Sequence, residues 1–597
     1  MQGISPFMIL QKIQLSIQKQ YHNRNILVIS YFLGDGIINT SRATIISMQS
    51  GELLKKLLEN RGVDEGQIDS FLLPDYEKTL HDPFLFKDME RACVRIFEAI
   101  DQNQKIVVYA DYDADGIPGA VIFNDFFQKI GYENFDIYIP DRHDEGYGLH
   151  KSAVDEFIKQ GVSLIITVDL GITAVEEVRD ALIGGVDVII TDHHLPHAGV
   201  PRAFAIINPK YDTNYPFDGL CGAGVAFKVV CALIKKYGEY WNIKEGWEKW
   251  TLDMAGLATL SDMVPLVGEN RTIAYWGLHV MRKSPRPGLV HLFKKAGINM
   301  RYINEEDITF SLTPRLNAAS RMASPKSAFM MLAEKDILKA QGFAEYLTGI
   351  NDERKTIVAS IMKDVHKNLE KRELCEVIVI GNPSWRVGVL GLVASKICET
   401  YKRPAFVWGR EGGKEEDDAP IKGSCRSDGS VNIVELMQLE SESFASFGGH
   451  EMAGGFSVKS EHIHFLEDKL VSKFSSIKRD VKIDDIIYDL ELSISDINKG
   501  NYKSIDSLSP YGLGNPKPIF LFKSVKIESM KQFGKEKNHL EMIFSGGGKK
   551  VKAISFFDSP DEYGVLGEGL NVDLYATFEL SRFAGKEELR LRIVDIK

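Results

Sequence analysis

The chain has 597 residues, 44% apolar and 26% charged, the balance of an ordinary globular protein and length enough for about three or four domains at roughly 150 residues each. Its net charge is −11, from 72 basic and 83 acidic residues; that excludes a protein coated all over with positive charge, but not an enzyme whose groove is locally positive. No apolar run approaches the ~18 residues that span a bilayer, no small-residue cleavage site follows a basic start, and Cys93, Cys221, Cys231, Cys375, Cys398 and Cys425 form no CxxC pair, so the expectation is no membrane, no zinc ribbon, no disulfide framework and a reducing cytoplasm.

Residues 1–47 are poorly patterned and read as an extension ahead of a fresh start at Met48. Helical spacing follows from about 50 to 100 and ends in the amphipathic run Asp88–Ile100. The signal then changes. Lys105–Ala110 (KIVVYA), Ser163–Val168 (SLIITV) and Val186–Thr191 (VDVIIT) are short β-branched runs, with helix-like Ser152–Gln160 and Ala174–Leu182 between them. Such alternation predicts a parallel α/β sheet. Each run ends on an acid (Asp111, Asp169, Asp192), at the edge where open α/β sheets bind ligands.

A mostly helical section reaches about residue 290. Ala328–Lys371 reads as a long helical connector, and a second α/β region from Cys375 to about Val471 opens with the strand Glu376–Ile380. Alternation in Asn571–Leu580 and Glu588–Ile596, with turns such as Gly546–Gly548, predicts a small antiparallel β-barrel. The expected organisation is therefore an extension (1–47), an α/β catalytic domain (48–325), a connector (326–372), a second α/β domain (373–474) and a barrel (475–597).

Asp111, Asp113 and Asp115 in DYDADG are three carboxylates within five residues, costly to hold together unless a cation offsets their repulsion. Carboxylate oxygens suit magnesium or manganese. A calcium loop would need a Glu at its twelfth position, which here is Ile122. The Asp192-His193-His194 triplet adds imidazole, which shifts preference toward manganese or another transition ion. Asp169 (TVDLGIT) and Asp262 (LSDMVPL) are further single acids in reach of such a site.

Together these motifs resemble the DHH phosphoesterase superfamily and, within it, the RecJ family of single-strand-specific 5′→3′ DNA exonucleases. The resemblance runs from about residue 50 to the C-terminus. It implies a DHH domain, a DHHA1 domain and an OB-fold barrel, and two divalent ions, manganese preferred or magnesium, held by Asp111, Asp113, Asp115, Asp169, His193 and Asp262. Asp113, Asp115, His194 and His450 would be the catalytic set, with His194 beside the scissile phosphate. Two ions ~3.5–4 Å apart lower the pKa of an attacking water and stabilise the leaving oxygen. GSCRS (Gly423–Ser427) and FGGHEMAGGF (Phe447–Phe456) resemble the DHHA1 elements, in which glycines let backbone N–H groups approach phosphate, so Gly449 and His450 would complete the site. Arg142 and Tyr147 in PDRHDEGYGL, and Arg315, Asn317 and Arg321 in PRLNAASRM, match segments that contact the DNA backbone. Arg142, Ser424, Arg426 and Ser427 would take the 5′-phosphate end.

Two positions depart from the family pattern. Arg386 stands where the family usually has histidine before the GLVA helix, so charge is kept and a neutral imidazole is lost. Leu170 follows Asp169, where a polar or small residue is common. Near the C-terminus, Pro510–Phe520 resembles the family's lead-in to its OB-fold. Lys503–Lys552 carries ten lysines against four acids, a phosphate-tracking patch or a solvated face; Phe533, Phe544 and Tyr575 are either stacking residues or barrel core.

The resemblance implies hydrolysis of single-stranded DNA to 5′-mononucleotides in recombination and repair, by a monomer that works with a RecQ-type helicase and single-strand-binding protein. Two other readings stay open at this point: a phosphodiesterase for short oligonucleotides or cyclic dinucleotides, and a catalytically inactive single-strand-binding replication scaffold. The acid and histidine set speaks against the scaffold; the connector and barrel speak against a small substrate.

Overall fold

The computed structural model describes residues 51–196, 199–410, 421–479, 486–534, 537–556, 563–564, 566–582 and 586–597; the 1–47 extension lies outside them. The chain forms two compact units. One comprises Glu65–Glu353 with Leu508–Pro516; the other comprises the residues up to Asp64, Arg354–Ser507 and Lys517–Lys597.

The first unit is built on a five-stranded sheet of order β2-β1-β3-β4-β5, with β1 Lys105–Ala110, β2 Phe135–Tyr138, β3 Val162–Val168, β4 Asp187–Thr191 and β5 Ala205–Ile207. Every pairing is parallel. Alternate residues of β1 enter different cores. Ile106 and Val108 pack with the helices Met89–Asp101, Gly116–Ile130 and Gly222–Tyr237. Val107 and Tyr109 pack with Lys151–Lys159 and Val175–Ile183. Burial on both faces is why these strands read as continuous apolar runs. The edge strand β2 (FDIY) is half-exposed and β5 has three residues, too little pattern for either to register in the sequence.

Leu508–Pro516 belongs to this unit although it lies far along the chain. Leu266 N–H donates to the Leu513 carbonyl at 2.6 Å, and the Arg271 guanidinium donates to the carbonyls of Ser509 (3.1 Å) and Pro510 (3.3 Å). The segment expected to lead into the barrel thus supports the loop that follows Asp262.

In the second unit, β6 Ile378–Gly381, β7 Ala405–Gly409, β8 Ile421–Arg426, β9 Phe444–His450 and β10 Ala453–Val458 form a sheet of order β6-β7-β8-β10-β9. Its β6–β7 pair is parallel and the rest antiparallel. The barrel follows, from β11 Leu490–Glu491, β12 Phe520–Phe533, β13 His539–Gly546, β14 Lys549–Phe556, β15 Asn571–Ser581 and β16 Glu588–Ile596; pairing of β12 with β15 closes it. Two pairings, β11 with β12 and β14 with β16, are parallel. Leu540, Met542 and Phe544 point inward at alternate positions, the half-buried pattern the sequence suggested for this region. The helix Glu52–Asn60 also sits in this unit, where Asn60 donates to the Asp489 carbonyl (2.8 Å) and Arg61 pairs with the Asp489 carboxylate (3.2 Å). The long helix expected in the connector is Ile337–Leu369, preceded by Lys326–Ala333 and a break whose N–H groups at Lys335 and Asp336 are taken by Glu334.

Candidate metal centre

Three parallel strands deliver acids to one edge of the first sheet. Asp111 follows β1, its N–H donating to the Val168 carbonyl. Asp113 Oδ1 accepts from the N–H groups of Asp115 (2.8 Å) and Gly116 (3.2 Å), which tightens the loop into the helix Gly116–Ile130. Asp115 accepts from Gly222 N (2.6 Å) and Ala223 N (2.7 Å), two otherwise unpaired donors in the first turn of Gly222–Tyr237. Asp169 follows β3 with φ 62°, a left-handed conformation uncommon for a side-chain-bearing residue. Gly222 is required there, since a Cβ on it would lie 2.4 Å from Asp169 Cβ.

Asp192 follows β4, and its carboxylate is fully engaged. It accepts from Ile172 N (2.9 Å), His193 N (2.7 Å) and His194 N (3.0 Å), with His194 Nδ1 at 2.8 Å. Asp192 therefore shapes the DHH loop, and His193 is the member it turns inward. His193 Nε2 lies 3.2 Å from Asp169 Oδ1, 3.7 Å from Asp115 Oδ2 and 3.8 Å from Asp262 Oδ2. Three overlapping donor sets result, each within 4.8 Å: Asp111–Asp113–Asp169, Asp115–His193–Asp262 and Asp169–His193–His194.

Burial, and then mutual repulsion, pushes Asp111, Asp169 and Asp262 well above the usual carboxylate range, and burial raises Asp115 as well. Burial also drives His193 down to about 4. It is therefore neutral at pH 7, and its close approaches to carboxylates form a donor set rather than ion pairs. On His194 burial pulls downward, but the hydrogen bond and charge of Asp192 override it and its pKa is raised. Asp111 Oδ1 and Asp169 Oδ1 are buried with no hydrogen-bond partner. Leaving such an acceptor unsatisfied costs about 1–3 kcal/mol, more if it is charged. Oxygen and imidazole donors with two unused carboxylate oxygens fit a divalent cation of the magnesium or manganese kind.

The neighbouring candidates divide. Tyr147 Oη lies 3.3 Å from both the Asp169 carbonyl and His194 Nδ1. The Arg142 guanidinium stands 5.1 Å over the Tyr112 ring, and its charge acts on Asp111. Asn317 Oδ1 accepts from Ala114 N at 2.9 Å, so this residue braces the acidic loop. Arg315 donates to the Ser311 carbonyl at 2.5 Å, and Arg321 lends its carbonyl to His143 Nε2 (3.2 Å). Leu170 is fully buried in the smaller core, an apolar setting for that departure from the family.

In the second unit, a Cβ on Gly391 would meet Arg426 Nη2 at 3.1 Å and Ser424 Oγ at 3.6 Å, so both lie over the helix Val387–Tyr401. Arg386 is the exposed residue just before that helix. Ser427 is buried: its hydroxyl donates to the Val431 carbonyl (2.6 Å) and accepts from Gly429 N (3.0 Å), closing a turn. Gly449 and His450 end β9, the edge strand of a hairpin, with Gly449 at φ 143° and both exposed. Sequence reasoning missed Gly222 and the fully buried Asn208, whose Nδ2 donates to the His194 carbonyl at 2.9 Å; CGAGVA opening a helix was the available signal for the first.

No helix among the described residues is long and apolar enough to cross a membrane, and all six cysteines are free thiols. An acid- and histidine-lined edge on a doubly covered parallel sheet, joined to a second α/β sheet and a closed barrel, defines a phosphoesterase of the DHH class. The DHH family N-terminal domain matches residues 105–259, the DHHA1 domain 374–476 and the RecJ OB domain 488–595. The single-stranded-DNA-specific exonuclease RecJ of Bacillus subtilis is 34% identical over 548 residues, covering 91% of this chain and 67% of that protein. That of Haemophilus influenzae is 30% identical over 533 residues, covering 86% and 92%. The crystal structure of RecJ from Thermus thermophilus in complex with Mn2+ superposes with a TM-score of 0.77 at 25% identity, covering 95% of this chain and 78% of that one. The chain belongs to the RecJ family of single-stranded-DNA-specific exonucleases.

Proposed function

We propose that this protein is a divalent-metal-dependent exonuclease that hydrolyses single-stranded DNA from its 5′ end, releasing 5′-mononucleotides. The observation that carries this reading is the set of overlapping donor triads at the sheet edge, with Asp111 and Asp169 oxygens left without a partner, in a chain of this family. Asp111, Asp113 and Asp169 would hold one ion and Asp115, His193 and Asp262 a second, with manganese or magnesium as the ion. Bound there, the ions supply Lewis acidity toward the attacking water and the scissile phosphate.

The protein's own groups do the rest. His193 stays neutral and keeps its lone pair for a ligand role. His194, anchored through Nδ1 to Asp192, which raises its pKa, and partly exposed, positions the scissile phosphate. Arg142, Tyr147, Arg315 and Arg321 line the strand, and Asn317 keeps the acidic loop in shape. Ser424 and Arg426 would bind phosphate at the 5′ end, and Arg386 adds charge where a relative's imidazole would stand.

On the barrel, Phe533, His539 and Phe556 form one cross-strand row, with ring centroids 5.1–6.1 Å apart. The Arg592 guanidinium lies 4.3 Å over Phe556. Half-exposed aromatic rings beside a guanidinium suit base stacking. Phe544, by contrast, is core, and Tyr575 packs by Tyr488. A helicase and single-strand-binding protein are the partners, and the cytoplasm the compartment, that family membership suggests.

The test is purified protein with Mn2+ on long 5′-labelled strands, 3′-labelled strands and dinucleotides. Immediate release of labelled mononucleotide from the 5′-labelled strand is expected. Cleavage of dinucleotides alone would overturn the reading in favour of a short-oligonucleotide phosphodiesterase, and binding without any hydrolysis in favour of a scaffold.

A further inference from the structure

The loop after β5 carries Asn208-Pro209-Lys210. β5 pairs with β4 in register (Thr191 opposite Ile207), and Asp192 N–H donates to the Ile207 carbonyl at 3.2 Å. The loop therefore leaves the sheet beside the DHH triplet, at the same edge as the metal ligands. Asn208 fixes it from both sides. Its Nδ2 donates to the His194 carbonyl (2.9 Å), while its Oδ1 accepts from Lys210 N (2.8 Å) and Tyr211 N (3.1 Å). Further along, Asp212 N–H donates to the Asn208 carbonyl (2.8 Å) and Asp212 Oδ2 accepts from Lys87 N (2.5 Å). One side chain, Asn208, thus ties the backbone of Lys210 to that of His194.

Its side chain is exposed, and among the described residues no carboxylate stands within ion-pair distance of its ammonium. The charge acts instead on Asp262, His193 and His194, whereas that of Arg142 acts on Asp111. The two cations thus address different members of the cluster. Lys210 thus stands, with no ion-pair partner among the described residues, at the rim of a site that handles a polyanion. A flexible stem ending in a point charge suits a phosphate that is replaced at every turnover, where a rigid fork would demand one geometry.

We propose that Lys210 is a substrate-binding residue of this exonuclease, its ammonium taking a backbone phosphate of the single strand next to the metal centre. The proposal rests on the single-strand exonuclease reading above. Neutralising a phosphate with one side chain releases counterions, and the slope of log affinity against log salt is about 0.7 per contact on single strands.

The test compares the full-length protein with Lys210→Ala, Lys210→Arg and Lys210→Glu. Affinity for a fluorescent 5′-phosphorylated single strand is followed by anisotropy over a salt series with Ca2+, and kcat/KM with Mn2+ in parallel. Lys210→Ala should weaken binding and make the salt slope shallower by about 0.7; Lys210→Arg should restore the slope, and Lys210→Glu should weaken binding further. Unfolding midpoints and Mn2+ titration accompany each variant. An unchanged salt slope in Lys210→Ala would overturn the proposal. So would tighter Mn2+ binding with unaltered DNA binding, the mark of a lysine that only balances the acids. A wild type that binds strands without cutting them would overturn the exonuclease reading, while the binding slopes still decide Lys210.

Discussion

At the edge of the parallel sheet, Asp111, Asp115, Asp169 and Asp262 stand together, and among the described residues no lysine or arginine is ion-paired to any of them. On the barrel, Lys523, Lys526, Lys531, Lys550 and Lys552 each have a glutamate in reach: Glu491 at 2.7 Å, Glu528 at 3.5 Å, Glu541 at 2.8 Å, Glu528 at 2.9 Å and Glu588 at 2.8 Å. Both regions announce themselves by dense like charge, and the difference lies in burial. Surface lysines find counter-charges on their own or nearby strands, in pairs that are weak and screened by salt and easily exchanged for phosphates. Of the sheet-edge acids, Asp111, Asp115 and Asp169 are buried, and oxygens of Asp111 and Asp169 have no hydrogen-bond partner, so the charge that remains calls for an ion. One region is a specific centre and the other an adjustable surface.

The largest effect should come from breaking the centre. His193→Ala should lower kcat by about 10³-fold or more, since a ligand acting on the transition state is worth several kcal/mol. Single-strand affinity of the barrel should stay within a few-fold, and retained turnover would show that His193 is no ligand. Next is the protonation of the acids. Above the unfolded value of about 4, Asp111, Asp169 and Asp262 keep protons in the folded, metal-free protein that the unfolded chain has released. Their contribution to metal-free stability therefore falls as pH rises toward their folded pKa values. A cation must displace those protons, so the gain in unfolding midpoint with Mn2+ over EDTA should be wider at pH 8 than at pH 5.5; an equal gain would remove proton release from the account.

Gly222→Ala sharpens the same contrast from the packing side. Its Cβ would collide with Asp169, and overpacking at such a place costs about 1–3 kcal/mol. Activity should fall more steeply than stability, with a weaker apparent Mn2+ affinity. On the barrel, Phe556→Ala should weaken single-strand binding about fivefold or more, as expected for one lost stacking contact, with kcat at saturation unchanged. Lys550→Ala should have the smallest effect, a change in affinity of about twofold or less at physiological salt, because its charge is already shared with Glu528. A tenfold loss would mean that the barrel lysines form a specific groove.

Much of this protein could be read before folding. Three β-branched runs ending in acids gave three of the five strands and the edge on which the site is built, since strand propensity and a terminal acid are local signals. What stayed hidden depends on distant partners. DHH is visible as a triplet, yet its aspartate is taken up by the Ile172, His193 and His194 N–H groups. Ser427 looks like a phosphate ligand and closes a turn; Asn317 looks like a DNA contact and holds the Ala114 N–H. The lysine-rich stretch looked unbalanced because Glu491 and Glu588, which answer two of its lysines, lie outside it in sequence. Leu508–Pro516 lies within the stretch expected as barrel, and only the fold shows that it packs beside Leu266.

The sequence by itself therefore determined the order of domains, the acids and histidines of the centre, and the family. Tertiary structure alone decided which oxygens are left for a metal, which histidine is neutral, and where Lys210 stands. Residue type and strand propensity are carried by a few neighbours in the chain. Desolvation and the choice of hydrogen-bond partner are set by residues such as Gly222 and Asn208, which reach the centre only through the fold.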